Sequence, residues 1–344
     1  MYTKSLTLKK ISELLGLSET TISRVLNGKA EQYRISVKTA DLVREKAGEL
    51  GYVPNPLAQS LRLQKTNTLG LVIPDIANPY FAGIAHHIET EARKQGYSII
   101  LCDTEERTDL EKDALDLLKL RQVDGLILSP VGNDSRHIET HYQSGLPVVI
   151  IDRCFPDLPV PFVSSDNYNG AYKAVEYLVK AGHRHIGCIQ GLPFASPNRD
   201  RVLAFRQVHS DHHLMLNEQY ITGNNFGQEN GYLGTLQLLE QNPQITAIFA
   251  VSNLIALGSL RAIAEKGKQV PGDVSIVAFD DQPYFNYLSA PMCAVKQNIA
   301  QMGKTALQLL LEQIDNPDSK DQQSVLIPTE LIIRNSVRPV YENI

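Results

Sequence analysis

SETTISRVLNG, residues 18–28, sets four small hydroxyl side chains and one arginine beside a short apolar stripe. Ile22, Val25 and Leu26 recur at three- and four-residue spacing, which predicts a helix with one narrow buried face. Ser18 is a natural N-cap for it and Gly28 a natural stop. Glu19, Thr20, Thr21, Ser23 and Arg24 remain for the outer face. Short donors with one arginine suit a groove lined by acceptors, and the major groove of duplex DNA is such a groove.

The flanks extend that reading. Leu8, Ile11 and Leu14 or Leu15 mark an earlier helix with Thr7 as its cap, and Gly16–Ser18 makes a turn. Ala40, Val43, Ala47 and Leu50 predict a third helix over Thr39–Leu50. Two helices joined at a turn and buttressed by a third form a helix-turn-helix head. Pro54 and Pro56 then break the chain, and Asn55 can cap a short helix through Leu57, Ala58 and Leu61. So short a helix needs a partner to order it, either its twin in a dimer or DNA. Residues 1–65 hold 11 Lys and Arg against 6 Asp and Glu, a surplus of +5, while the rest of the chain carries −10. A basic head on an acidic body is the asymmetry of a DNA-reading module joined to a regulatory one.

From Leu69 the pattern becomes alternating strand and helix. LGLVIP, SIILC, DGLILSP and PVVIID are short apolar runs of the kind buried in parallel sheets, separated by helices over Tyr80–Gln95, Leu110–Leu120 and Ser135–Gln143. A second series begins near Val163 with IGCIQG, AIFAVS and VSIVAFD; its helices are expected over Gly170–Ala181, Arg199–Ser210, Glu229–Leu239 and Asn253–Glu265. Two such series imply two doubly wound α/β lobes with parallel sheets, binding a ligand where strand ends face a cleft. The chain lacks nucleophile-elbow, Walker and dinucleotide fingerprints, so no enzyme is expected. Asp280 and Asp281 are adjacent on a strand, point to opposite faces and cannot pair as acid and base. The four cysteines are scattered, no metal or cofactor site is expected, and His209, His212, His213, His86 and His87 read as surface residues. With no apolar leader or membrane span in the sequence, a cytoplasmic location is expected.

Residues 7–68 resemble the DNA-binding head of the lactose/galactose repressor family, through TLKKISELLGLSETTISRVLNG, LGYVPNPLAQSLR and KTNTLGLVIPDIANPYF. The likeness continues to about Arg338 through IDR (151–153), GHRHIG (182–187), SNLIALGSLRAI (252–263) and VPGDVSIVAFDD (270–281). NGKAEQYRIS, residues 27–36, is longer than the lactose-repressor pattern and resembles the fructose- and sucrose-repressor branch.

The resemblance implies a helix-turn-helix domain at 1–53, a hinge at 54–67 and a two-lobed effector domain of the periplasmic-binding-protein type at 68–338. Its first lobe would be about 68–164 with 296–324, and its second 165–295 with 325–338. Glu19, Thr20 and Arg24 would read bases; Glu19 would either accept from cytosine N4 or pair with Arg24. Thr7, Ser18, Ser23 and Asn27 would hold phosphates. Asn55, Ala58 and Leu61 fall in the hinge, with Leu61 either a minor-groove wedge or an ordinary core residue. In the cleft the resemblance implies Asp75, Asn78, Tyr80, Phe81, Arg153, Ser196, Arg201, Phe226, Asn253, Asp281 and Gln297. Tyr80 and Phe81 read equally well as core residues.

Asn253 stands where sugar-binding members commonly carry aspartate. With Ser196, Arg199 and Arg201 it would ease an anionic ligand, so fructose, sucrose or a fructose phosphate are the expected effectors. The implied partners are operator DNA, a small sugar-like effector and a second copy in a homodimer, because the tail after Arg338 is too short for a tetramerising heptad helix.

Overall fold

The computed structural model describes residues 7–52, 65–155, 157–317 and 323–340, and divides between Thr66 and Asn67 into two compact units. Asn55, Ala58 and Leu61 lie outside the described residues.

The first unit contains α1 (Leu8–Leu15), α2 (Glu19–Leu26) and α3 (Val37–Glu49). Ser18 caps α2 as expected, its Oγ accepting from the Thr21 amide at 3.1 Å. Thr7 occupies the cap position of α1 without a side-chain cap bond. Gly16 takes φ +63°, the left-handed conformation that turns the chain between α1 and α2. The third helix starts at Val37 rather than Thr39, because Ser36 Oγ accepts from the Thr39 amide at 3.2 Å. Its first turn is exposed, so apolar periodicity does not register it. Ile11, Ile22, Val25, Ala40, Val43 and Ala47 bury one another, leaving the polar side of α2 outside.

The second unit runs β1 (Thr68–Ile73), α4 (Pro79–Lys94), β2 (Ser98–Asp103), α5 (Thr108–Leu120), β3 (Gly125–Leu128), α6 (Arg136–Gln143), β4 (Val148–Ile151) and β5 (Phe162–Ser165). A second series follows: α7 (Asn167–Lys180), β6 (Ile186–Ile189), α8 (Ser196–Asp211), β7 (Ile221–Thr222), α9 (Gln228–Gln241), β8 (Ala247–Ala250), α10 (Asn253–Glu265), β9 (Ser275–Phe279) and β10 (Cys293–Lys296). The chain closes with α11 (Ile299–Asp315), β11 (Ser324–Ile327) and β12 (Glu330–Ile332).

Two six-stranded sheets result, with orders β11-β5-β4-β3-β1-β2 and β12-β10-β9-β8-β6-β7. All pairings are parallel except β12 on β10. Each sheet is doubly wound. In the first lobe α4 and α11 cover one face, and α5 and α6 the other.

The expected lobe boundaries shift slightly. Ser165 still pairs within the first sheet, and β11 joins it whole, Ser324 opposite Phe162 and Ile327 opposite Ser165. The last crossing therefore falls after Ile327, not at 324/325. A short half-exposed edge strand such as SVLI can join either sheet by sequence, and packing makes the choice. Strand order reverses at β1/β3 in one lobe and β6/β8 in the other, so the cleft-facing loops follow these strands.

Candidate functional site

On the head, Glu19, Thr20, Ser23, Arg24 and Asn27 share one concave surface, whose far wall is Lys29 and Tyr33. Asn27 Nδ2 donates to the Ser23 carbonyl at 2.6 Å and to Ser23 Oγ at 3.2 Å, tying the last turn of α2. Thr7 and Ser18 lie outside this concavity, and the Ser18 hydroxyl is occupied in capping. The pairing of Glu19 with Arg24 is not formed: the Arg24 guanidinium carbon sits 3.8 Å from the centroid of the Tyr33 ring.

In the second unit, both lobes line one cleft. The first supplies Asn78, Tyr80, Phe81, Asp152 and Arg153; the second supplies Pro197, Arg201, Phe226, Ser252 and Asp280. Each strand end contributes by its place in the fold. Asn78 Oδ1 caps α4 by accepting from the Tyr80 amide, which aims Tyr80 and Phe81 inward. Asp152 follows β4 and Asp280 follows β9, both at left-handed φ, +63° and +68°. Aspartate tolerates that conformation, and here it ends a buried strand with the carboxylate turned into the cleft.

A hydrogen-bonded chain joins the lobes at the cleft floor. The single proton of Tyr80 Oη is shared between Asp152 Oδ1 at 2.7 Å and Gln297 Oε1 at 3.0 Å, while Gln297 Nε2 donates to Asp280 Oδ1. Asn253 Nδ2 adds a second link, donating to Asn78 Oδ1 at 3.2 Å, and leaves its own Oδ1 buried without a partner. Arg153 grips Glu106 through two bonds of 2.7 and 2.6 Å, and its guanidinium lies 5.4 Å from the Phe226 ring centroid. Arg201 donates to Asn167 Oδ1 at 2.9 and 2.7 Å and to the Val251 carbonyl at 2.6 Å, and stacks 3.6 Å over Phe279. Asp280 lies 3.8 Å from Arg201.

Burial raises the Asp280 pKa, with Arg201 opposing it. Burial, reinforced by Asp152 and Asp280, holds the Tyr80 phenol well above its ordinary range, so it serves as a donor. The cavity between these groups measures about 20 Å³, room for roughly one water. Ligand pockets run to roughly 300–1,000 Å³, so the space between the lobes as they stand is well below the size of one.

Five expected cleft residues do not line the cavity: Asn253 and Gln297 stand behind it in the network above, Ser196 bonds across the lobes beside it, and Asp75 and Asp281 are engaged elsewhere. Asp75 holds a turn by accepting from the Ala77 amide at 2.8 Å. Ser196 Oγ accepts from the Cys154 amide at 2.9 Å. Asp281 is spent on Arg334, with bonds of 2.8 and 3.0 Å, and its neighbour Asp280 takes the cleft position instead. The pair lies past the end of β9 rather than on a strand as expected, and the left-handed turn at Asp280 decides which of the two faces the cleft. Asp152, Asp280 and Asn167 were missed. The signal for the first two was present, since VVIID and IVAFD each end an apolar strand on aspartate in equivalent places of the two lobes. The anion cluster expected from Ser196, Arg199 and Arg201 does not assemble, because Arg199 is exposed. Among the described residues no group of three His, Cys, Asp or Glu is placed to hold a metal, and no helix is long and apolar enough to cross a membrane. His209 is buried, its Nδ1 2.8 Å from the Phe205 carbonyl.

A helix-turn-helix head joined to a two-lobed binding domain defines the class of ligand-responsive DNA-binding regulators. Comparison with known proteins agrees. Residues 7–55 match the family model described as bacterial regulatory proteins, lacI family, and residues 66–335 match periplasmic binding proteins and sugar binding domain of LacI family. The ribose operon repressor of Haemophilus influenzae is 33% identical over 96% of this chain and 98% of its own length. The HTH-type transcriptional repressor PurR of the same species is 31% identical, covering 97% and 99%. The solved structure of the transcriptional regulator CelR in complex with cellobiose superposes with a TM-score of 0.74 at 28% identity, over 96% and 99% of the two chains. The chain belongs to the LacI family of bacterial transcriptional regulators. It is a DNA-binding repressor with a ligand-binding domain, and not an enzyme.

Proposed function

We propose that the protein binds a near-palindromic operator as a cytoplasmic homodimer, and that a small neutral sugar held between the lobes sets its affinity for DNA. Two-fold protein symmetry requires matching symmetry in the operator. Glu19, Thr20 and Arg24 read bases from the concave face of the head, with Ser23 and Asn27 beside them and Thr7 and Ser18 on its margins. By the resemblance, Asn55, Ala58 and Leu61 also contact the operator, with Leu61 the minor-groove wedge.

The observation that carries the effector class is the charge balance of the cleft. Two arginines face three carboxylates (Glu106, Asp152 and Asp280), and each guanidinium already has a partner. The carboxylates outnumber the arginines, which disfavours a phosphate even though the Arg153 Nε–H has no hydrogen-bond partner, whereas the carboxylates, the amides of Asn78 and Asn253, and the Phe226 ring suit hydroxyls and a sugar face. This favours ribose, fructose or sucrose over a fructose phosphate. The name of the ribose operon repressor among the relatives supports testing ribose first. The ligand acts by preferring one lobe arrangement over the other, which couples the cleft to the head.

The test is a thermal-shift screen of the full chain with ribose, fructose, sucrose, a fructose phosphate and a purine base. The hit is then titrated into an operator-binding assay. A neutral sugar is expected to raise the melting point and to change DNA affinity. A shift with the phosphate ester alone, or with the purine base alone, would overturn the assignment.

A further inference from the structure

The segment between α2 and α3 is built rather than loose. Ala30 is 7% exposed and belongs to the head core. The Lys29 amide donates to the Arg24 carbonyl at 2.9 Å, the Tyr33 amide to the Lys29 carbonyl at 3.2 Å, and the Ile35 amide to the Ala30 carbonyl at 2.9 Å. These bonds fix Tyr33 over the end of α2. Tyr33 is 44% exposed, so it is no core residue, yet its ring centroid lies 3.8 Å from the Arg24 guanidinium carbon. Among the described residues the Arg24 guanidinium makes no ion pair or side-chain hydrogen bond, and it lies against the Tyr33 ring. Both side chains border the concavity that holds Glu19, Thr20 and Ser23.

We infer that Tyr33 is a positioning residue for base reading: it stacks on Arg24 and presents the edge of the guanidinium to the major groove. The inference rests on Arg24 being a base-reading residue. The physical reason is entropic and geometric. A free arginine samples many rotamers and must be ordered when it makes a two-pronged contact to guanine. A ring that covers one face of the guanidinium leaves its five donors free at the edge, which is the direction a base presents its acceptors. The flat face of guanidinium is attracted to the ring, so the stack costs no hydrogen bond. The carboxylate at Glu19 stays unpaired with Arg24 and can accept from a neighbouring base.

The test uses the full-length protein and a pool of randomised duplexes, from which bound sequences are selected and read. Five chains are compared: wild type, Arg24→Ala, Arg24→Lys, Tyr33→Ala and Tyr33→Phe. Arg24→Ala is expected to flatten base preference at one position of each half-site. Tyr33→Ala is expected to reduce preference at that same position by about two- to fivefold, the size of an exposed cation–π contact. Preferences elsewhere stay as in wild type. Tyr33→Phe keeps the ring and is expected to read as wild type.

Arg24→Lys keeps the charge and discards the planar stack, so it is expected to lose the same preference with the loop sequence untouched. If Tyr33→Ala leaves that position unchanged, or weakens every sequence equally, the inference fails while base reading by Arg24 stands. If Arg24→Ala flattens no position, the reading of Arg24 itself fails and takes the inference with it. Should Tyr33→Ala unfold the head by circular dichroism, Tyr33→Leu takes its place, keeping bulk and discarding the aromatic face: reduced preference at the Arg24 position alone supports the inference, and wild-type preference there overturns it.

Discussion

Asp280 shows how much a single side chain depends on its surroundings. Its raised pKa means that the folded chain binds the proton more tightly than the unfolded one. The ionised group therefore costs stability above its folded pKa, and the cost fades as pH falls from there toward the ordinary 3.8. Asp280→Asn keeps an oxygen for Gln297 and removes the buried charge. It is expected to melt a few degrees higher than wild type at pH 7, with the difference shrinking toward pH 4, and to bind the effector about tenfold more weakly. Melting curves over pH and a ligand titration check both.

His183 has the opposite sign. Burial lowers its pKa to about 4. Its ring nitrogens are 2.8 Å from Thr246 Oγ1 and 3.1 Å from the Arg338 carbonyl, an arrangement that suits the neutral ring. The unfolded chain takes up a proton below about 6.5 and the folded chain waits until about 4, so stability is lost as pH falls through that window. His183→Asn is expected to lose less stability between pH 6.5 and 4 than wild type, measured by chemical denaturation at several pH values. Neither effect was legible in the sequence. HRH and FDD give residue types, while burial and partners come from strands distant along the chain.

Elements were read better than their ends. The apolar stripes of α1, α2 and α10 fall where their periodicity puts them, and Asn253–Glu265 is matched at both ends. Helices that begin with a polar or small first turn begin earlier than periodicity shows. α7 starts at Asn167, capped by Asp166, rather than Gly170, and α8 starts at Ser196 rather than Arg199. Caps act through backbone amides and leave no mark on the hydrophobic pattern.

Packing between elements can also depend on one missing atom. A Cβ on Gly258 would lie 1.9 Å from the Gln228 carbonyl oxygen and 2.6 Å from the Tyr232 nitrogen, so α9 and α10 touch through bare backbone. Gly258→Ala is expected to cost about 3 kcal/mol and lower the melting point by roughly 6–12 °C, as read by calorimetry.

Across the whole molecule, the chain crosses between the lobes three times, and the side-chain network at the cleft adds to those covalent ties. Tyr80 is the central donor. Removing its hydroxyl takes away the one proton that the buried oxygens of Asp152 and Gln297 share, at about 1–3 kcal/mol. Tyr80→Phe is therefore expected to loosen closure: the ligand-free chain melts several degrees lower and has a larger radius of gyration in small-angle scattering. An unchanged radius would mean that the crossings alone set the lobe arrangement.

The sequence by itself determined the plan of this protein. Periodicity separates a helical head from two α/β series, charge separates a basic module from an acidic one, and a helix lined with short donors marks the face proposed to meet DNA. These are local properties, carried by neighbours along the chain. The tertiary structure decided the rest: which of two adjacent aspartates faces the ligand, which sheet takes the last short strands, that Ser196 and Asp75 serve the backbone, and that Arg24 lies on Tyr33. Each depends on register, on a backbone turn or on a contact between distant segments, and such contacts are chosen by packing and by the pairing of buried polar groups, which no local pattern encodes.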